Sequence, residues 1–167
     1  MDDPTALMLD QAYMQEALKE AKAAFAADEV PVGAVIVHEG KVIARAHNQV
    51  EMLKDPTAHA EMIALTQAAN TLQEKWLYGA VLYVTLEPCA MCMGAVILAR
   101  LERVVFGAPD PKTGACGSVF NIAQDRRLNH QVALTSGVMQ DQCAYLLSEF
   151  FAGKRKKSGP GPGPACA

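Results

Sequence analysis

The chain has 167 residues, 51% hydrophobic and 20% charged, which excludes global disorder and leaves apolar material for one buried core. Its longest apolar run, Val30 to Val37, is too short for a bilayer, and the acidic start Met1-Asp2-Asp3-Pro4 lacks the basic lead-in of an export signal, so a soluble cytoplasmic protein is expected. The net charge of −3 gives no general sign of a nucleic-acid binder, but without Lys154, Arg155, Lys156 and Lys157 the 15 basic residues fall to 11 against 18 acidic, so an acidic body carries a basic tail.

Leu9 to Ala27 is predicted as a first amphipathic helix, because Tyr13, Ala17, Leu18, Ala21, Ala24 and Phe25 recur at helical spacing, with Pro31 marking its end. Two strand-like runs follow, Val32–His38 and Lys41–Ala46, and Glu39-Gly40 between them suggests a hairpin. Asp55-Pro56-Thr57 is a helix start signal for a segment running to about Leu72. Val81–Thr85 is a short buried strand, and a helix runs from about Cys89 to Ala99. Arg103–Phe106 is a strand, Pro109–Ser118 a loop and Gln131–Leu134 a last strand, after which Asp141 can cap a helix ending near Gly153. Strands alternating with helices, after an antiparallel start, predict a three-layer α/β/α domain on a mixed sheet of about five strands. The domain should occupy residues 1–153. Residues 154–167 form a basic and then Gly/Pro-rich tail expected to be disordered, since the alternating Gly and Pro after Ser158 can make neither helix nor ladder.

Five cysteines in a chain without an export signal favour metal binding or buried free thiols over a disulfide framework. Cys89 and Cys92 are three apart where a helix begins, so they share a face near a helix N-terminus that favours thiolates. Alone, the pair is open to a buried-thiol or a redox reading, although no aromatic-Cys-Gly/Pro-Cys pattern surrounds it. His59 alone would be a capping or core histidine, and Glu61 alone a surface acid, yet Glu61 sits among Ala58, Ala60, Met62, Ile63 and Ala64. Together they change the reading. His59, Cys89 and Cys92 supply three ligands for Zn²⁺, one short of a closed structural site, and a position open to water is how a catalytic zinc is built. Two thiolates cancel the charge of the metal, and a nearby carboxylate is the natural acceptor of a proton from that water. Glu61 lies about 200° around an ideal helix from His59, so it reaches the same water only if His59 is in the first turn.

His59-Ala60-Glu61 followed by Pro88-Cys89-Ala90-Met91-Cys92 resembles the signature of the zinc-dependent nucleoside and nucleobase deaminases. Asn48, Asp55-Pro-Thr-Ala-His-Ala-Glu61, Leu82-Tyr-Val-Thr-Leu-Glu-Pro-Cys-Ala-Met-Cys92 and Phe106-Gly-Ala-Pro-Asp-Pro-Lys-Thr-Gly-Ala115 resemble one branch more closely, the bacterial tRNA-specific adenosine deaminases. The similarity runs from about Tyr13 to Phe151. Pro109 and Pro111 stand out as local variations, and the Gly/Pro tail is outside the family pattern.

The resemblance implies a cytidine-deaminase-like fold, a homodimer and one Zn²⁺ per subunit held by His59, Cys89 and Cys92, with Glu61 as proton shuttle. It implies hydrolysis of adenosine to inosine at the wobble position of a tRNA anticodon, in an arginine tRNA, with release of ammonia. It also implies that Asn48 meets the target base, and that Asp110 and Lys112 meet the anticodon arm at a ribose hydroxyl and a phosphate. Read on their own residue types, Asn48 is a turn residue, and Asp110, Lys112 and Thr113 are solvated loop residues. The Lys154–Lys157 run is a solvated helix end or an RNA-backbone clamp. Met91 and Met93 are expected to pack in the core, Cys116 and Cys143 to be buried thiols, and Cys166 an exposed one. Rival functions are a deaminase of a free base or nucleotide of the guanine or cytosine type, a non-catalytic zinc subunit of an editing complex, which would lack the glutamate, and a thiol redox protein.

Overall fold

The structure is a computed structural model that describes residues 3–159. Cys166 and most of the Gly/Pro tail, and with them the expectation of disorder there, lie outside the described residues.

Helix α1 spans Pro4–Ala26 and begins more than a turn before the expected Leu9. Asp3 is its cap, accepting a hydrogen bond from the Thr5 N–H at 3.0 Å, and Pro4 opens the first turn, where its missing N–H costs nothing. Met14, Ala17, Leu18, Ala21 and Ala24 form the buried stripe. The chain leaves the helix at Asp28, whose φ of 62° is left-handed, ahead of Pro31. Strands β1 (Gly33–His38) and β2 (Lys41–His47) make the expected hairpin. Glu39 and Gly40 at its tip have φ of 50° and 72°, the two positive values that a two-residue turn between twisted strands requires.

Two differences come next. A four-residue helix α2, Val50–Leu53, was not expected, and α3 spans Ala60–Leu72 rather than starting at Asp55. The Asp55 carboxylate instead accepts from the N–H and hydroxyl of Thr57 at 2.8 and 2.7 Å. The start signal therefore folds into a local turn that delivers His59 to the N-cap position of α3. Strand β3 (Val81–Leu86), helix α4 (Ala90–Leu98) and strand β4 (Arg103–Ala108) fall within two residues of their expected limits. Strand β5 is shifted to Ala133–Thr135. Helix α5, Gln140–Ser158, has Met139 rather than Asp141 at its N-cap position, with no side-chain cap, and runs past Gly153. Its last turn carries Arg155, Lys156 and Lys157, which suit the negative end of the helix dipole.

The sheet has the order β2-β1-β3-β4-β5, with β1 antiparallel to β2 and β3, and β3, β4 and β5 parallel, so the mixed five-stranded sheet is observed. Strand residues alternate between two cores. Ala34, Ile36, Leu82, Val84, Val104 and Phe106 pack with Ala60, Ala64 and Ala68 of α3 and Met93, Val96 and Ile97 of α4. Val35, Val37, Tyr83 and Val105 pack with α1 and with Cys143 of α5. The result is a three-layer α/β/α sandwich. At Gly33 a Cβ would lie 2.0 Å from the Ala17 carbonyl oxygen and 2.4 Å from the Ala21 nitrogen, so only glycine lets α1 lie this close to the start of β1. Met93 and Cys143 are buried, and Cys116 is 8% exposed, as expected of core residues and structural thiols. No helix among the described residues is long and apolar enough to cross a membrane.

Candidate active site

Two helix starts converge beyond the ends of β1 and β3. His59 and Cys89 are the N-cap residues of α3 and α4, both with extended backbone, and Glu61 and Cys92 lie in the first turns. Neither N-cap side chain makes a capping hydrogen bond, and the imidazole and the thiol face one another. The His59 Nδ1 lies 3.7 Å from the Cys89 Sγ and 3.6 Å from the Cys92 Sγ. The three ligand atoms fall within 4.8 Å of one another. Tetrahedral coordination at ordinary zinc bond lengths separates nitrogen from sulfur by roughly 3.5 Å, so this donor set fits a four-coordinate cation with three protein ligands.

Of the three donors, Cys89 is held toward the thiolate form that a cation binds. A hydrogen bond from the Cys92 thiol, and then one from His59, hold the Cys89 thiol far below the usual thiol range. The same bond and burial push the Cys92 thiol up. His59 is raised by its contact with Cys89. Pre-formed thiolate character beside two positive helix ends is what a divalent cation needs. Glu61 is 4% exposed, and burial pushes its carboxyl above the usual range.

His59, Glu61 and Cys89 line an open cleft of about 270 Å³ together with Asn48, Asp110 and Thr113. Because His59 is the N-cap, both it and Glu61 reach past the helix end into the same space. Asn48, 7% exposed, ends the β2 turn with its N–H on the Val32 carbonyl. The Asp110 carboxylate accepts from the N–H groups of Lys112 and Thr113 and from the Thr113 hydroxyl at 3.0, 3.3 and 2.7 Å. It shapes its own loop. The Lys112 side chain is exposed and does not line the cleft.

Two buried acids that line the cleft had no role in the sequence reading. Glu29, 2% exposed, accepts from the Met52 and Glu51 N–H groups at 2.6 and 3.1 Å. Glu87, 3% exposed, accepts from the N–H groups of Asp110, Cys116 and Ser118 and from the Ser118 hydroxyl. Burial works to raise its carboxyl, but these hydrogen bonds outweigh it and hold the group below the usual range. The signal for Glu87 was its place as the one charged residue of the run Val81–Cys89, while nothing local marks Glu29.

Residues 8–152 match the family described as MafB19-like deaminase. A tRNA-specific adenosine deaminase of Bacillus subtilis is 53% identical over 89% of this chain and 92% of its own length. One of Aquifex aeolicus is 53% identical over 83% of this chain and 91% of its own. The chain belongs to the bacterial tRNA-specific adenosine deaminase family. A solved structure from work on A-to-I editing by tRNA:A34 deaminases is 44% identical, with a TM-score of 0.77 over 81% of this chain and 99% of that one. A guanine deaminase of Nitrosomonas europaea is 27% identical, with a TM-score of 0.71 over 91% of this chain and 86% of its own. The same sandwich thus carries two purine deaminations, and the sequence of this deaminase lies nearer the tRNA branch.

Proposed function

We propose that the protein hydrolyses adenosine to inosine at the wobble position of a tRNA anticodon, in an arginine tRNA, releasing ammonia. The observation that carries this reading is the meeting of His59, Cys89 and Cys92 beside a buried Glu61 in a cleft edged by Asn48. In this proposal one Zn²⁺ per subunit is held by the His59 Nδ1 and the two sulfurs. When bound, it supplies the Lewis acidity that makes a water nucleophilic near neutral pH. Glu61 takes a proton from the attacking water, passes it to the ring nitrogen beside the amine-bearing carbon, and then assists departure of ammonia. Burial, by raising its proton affinity, suits the carboxyl to both acceptance and donation. Asn48 reads the base edge with a paired donor and acceptor. Asp110 and Lys112 contribute to the anticodon arm, with Lys112 at a phosphate from its exposed position and Asp110 through the loop it shapes. The basic end of α5 adds a salt-sensitive attraction to the RNA backbone. The proposal includes a homodimer in the cytoplasm, as the family resemblance implies, and light scattering on the purified chain tests the dimer.

A second reading, deamination of a free base, is favoured by the likeness to the guanine deaminase. One experiment separates the two. The zinc-loaded protein is incubated with total tRNA and, separately, with adenosine, cytidine and guanine. Inosine in tRNA, with the small compounds unchanged, is the expected result. Uridine or xanthine from the small compounds, with tRNA unchanged, overturns the proposal.

A further inference from the structure

Glu29 is a buried acid surrounded by N–H groups rather than by a cation. One carboxylate oxygen accepts from the Met52 N–H at 2.6 Å, and the other accepts from the Glu51 N–H at 3.1 Å and from the Asn48 Nδ2 at 3.5 Å. Glu51 and Met52 belong to the first turn of α2, whose own cap residue, Gln49, offers no side-chain hydrogen bond. The acid therefore caps this turn from 23 residues earlier in the chain. Glu29, Asn48, Val50 and Glu51 all line the cleft, so one carboxylate ties together one of its walls.

A carboxylate accepts and does not donate. An asparagine amide turned toward it must present its NH₂ end, because the opposite sense would set a carbonyl against a carboxylate. That chemistry removes the usual two-fold freedom of the amide. The Asn48 carbonyl oxygen and its second N–H are left for whatever enters the cleft, in one fixed order.

We propose that Glu29 is a positioning residue of the deaminase, which sets the sense of the Asn48 amide and hence the order of donor and acceptor shown to the base. The inference rests on the reading of Asn48 as a base contact. Glu29→Gln tests it with almost no change of shape. The single remaining oxygen stays on the Met52 N–H, the shortest of the three bonds, so the new NH₂ takes the place of the oxygen that the Glu51 N–H and Asn48 shared, and the Glu51 N–H loses its acceptor whatever Asn48 does. The new NH₂ then faces Asn48, whose amide must invert to accept from it, exchanging donor and acceptor at the base.

The test is a double-mutant cycle with a tRNA substrate, read as kcat and KM for the zinc-loaded wild type, Glu29→Gln, Asn48→Ala and the double variant, below all thermal midpoints. Each single variant is expected to lose about tenfold or more in kcat/KM with zinc content unchanged. The double variant is expected to match Asn48→Ala, because an inverted amide has no effect once the amide is gone. Losses that multiply would show Glu29 acting as a general support of the wall and overturn the inference, as would a Glu29→Gln enzyme of normal kcat/KM. A neutral Asn48→Ala overturns the base-contact reading and this inference together, whereas an impaired Asn48→Ala with multiplying losses overturns this inference alone.

Discussion

The two faces of the sheet treat a buried acid in opposite ways. On the α1–α5 face Asp10, 5% exposed, receives the Arg103 guanidinium at 2.8 and 2.9 Å and the Tyr83 hydroxyl at 2.8 Å. Burial works to raise its carboxyl, yet the bonds from Arg103 and Tyr83 outweigh it and hold the group below the usual range. On the α3–α4 face Glu61 is equally buried and burial prevails, so its carboxyl is raised. The two acids have opposite proton affinities because Asp10 is met by a guanidinium and a hydroxyl, whereas at Glu61 burial dominates. An acid paired in this way holds elements together, and an acid left with a raised proton affinity beside metal-binding groups is suited to carry a proton.

The largest effect that sharpens this contrast is expected at Glu61. Glu61→Ala should lower turnover by about a hundred- to ten-thousand-fold while zinc content and thermal midpoint are retained. Near-normal turnover, followed as inosine in tRNA, would remove the residue from the mechanism. The opposite signature is expected across the sheet. Asp10→Asn should cost about 3 kcal/mol of stability at neutral pH by leaving Arg103 without its partner, with kcat little changed below the midpoint. The sign of its pH dependence follows from the lowered carboxyl. Its contribution is fully present above the unfolded-state value near 4 and is lost as pH falls through the folded-state value. Denaturation midpoints of wild type and Asp10→Asn should therefore converge once pH has fallen below the folded-state value of Asp10, and a gap that widened in acid would contradict the pairing account.

The centre was legible in the sequence because its determinants are local. His59 and Glu61 stand at one helix start, and Cys89 and Cys92 at another, each within a few residues of a strand or turn. The hairpin was legible for the same reason, from Glu39 and Gly40. What was not legible rests on distant partners. Helix α2 is completed by Glu29, 22 and 23 residues from the N–H groups it accepts, and nothing in Val50–Leu53 alone announces a helix. Asp10 meets Arg103 across 93 residues. The start of α3 was placed too early because Asp55 and Thr57 satisfy each other in a turn, using the same side-chain bonds that would otherwise cap a helix. Helix α5 passes Gly153 because a glycine with open space around it is tolerated within a long helix when the following residues favour continuation.

A smaller effect is expected at Gly114, where a Cβ would lie 2.3 Å from the Glu87 carboxylate and 2.5 Å from the Asp110 carbonyl oxygen. Gly114→Ala should displace the loop that Glu87 holds, costing about 1–3 kcal/mol and raising KM more than it lowers kcat. An unchanged KM would show that this wall of the cleft is not part of substrate binding. The smallest effect is expected at the basic end of α5. Lys154 pairs with Asp28 at 2.8 Å on the surface, a solvent-screened contact that adds little stability. Removing residues 154–167 should leave stability nearly unchanged and weaken tRNA binding at low salt, with the difference fading as salt rises. Unchanged affinity at low salt would dispose of the RNA-clamp role.

Metal analysis bears on the centre most directly. The purified wild type and Glu61→Ala should each carry one zinc per chain, while Cys92→Ala should carry almost none and unfold at a lower temperature, since ligand loss and stability are coupled. Full zinc occupancy in Cys92→Ala, or none in the wild type after purification with zinc, would contradict the account.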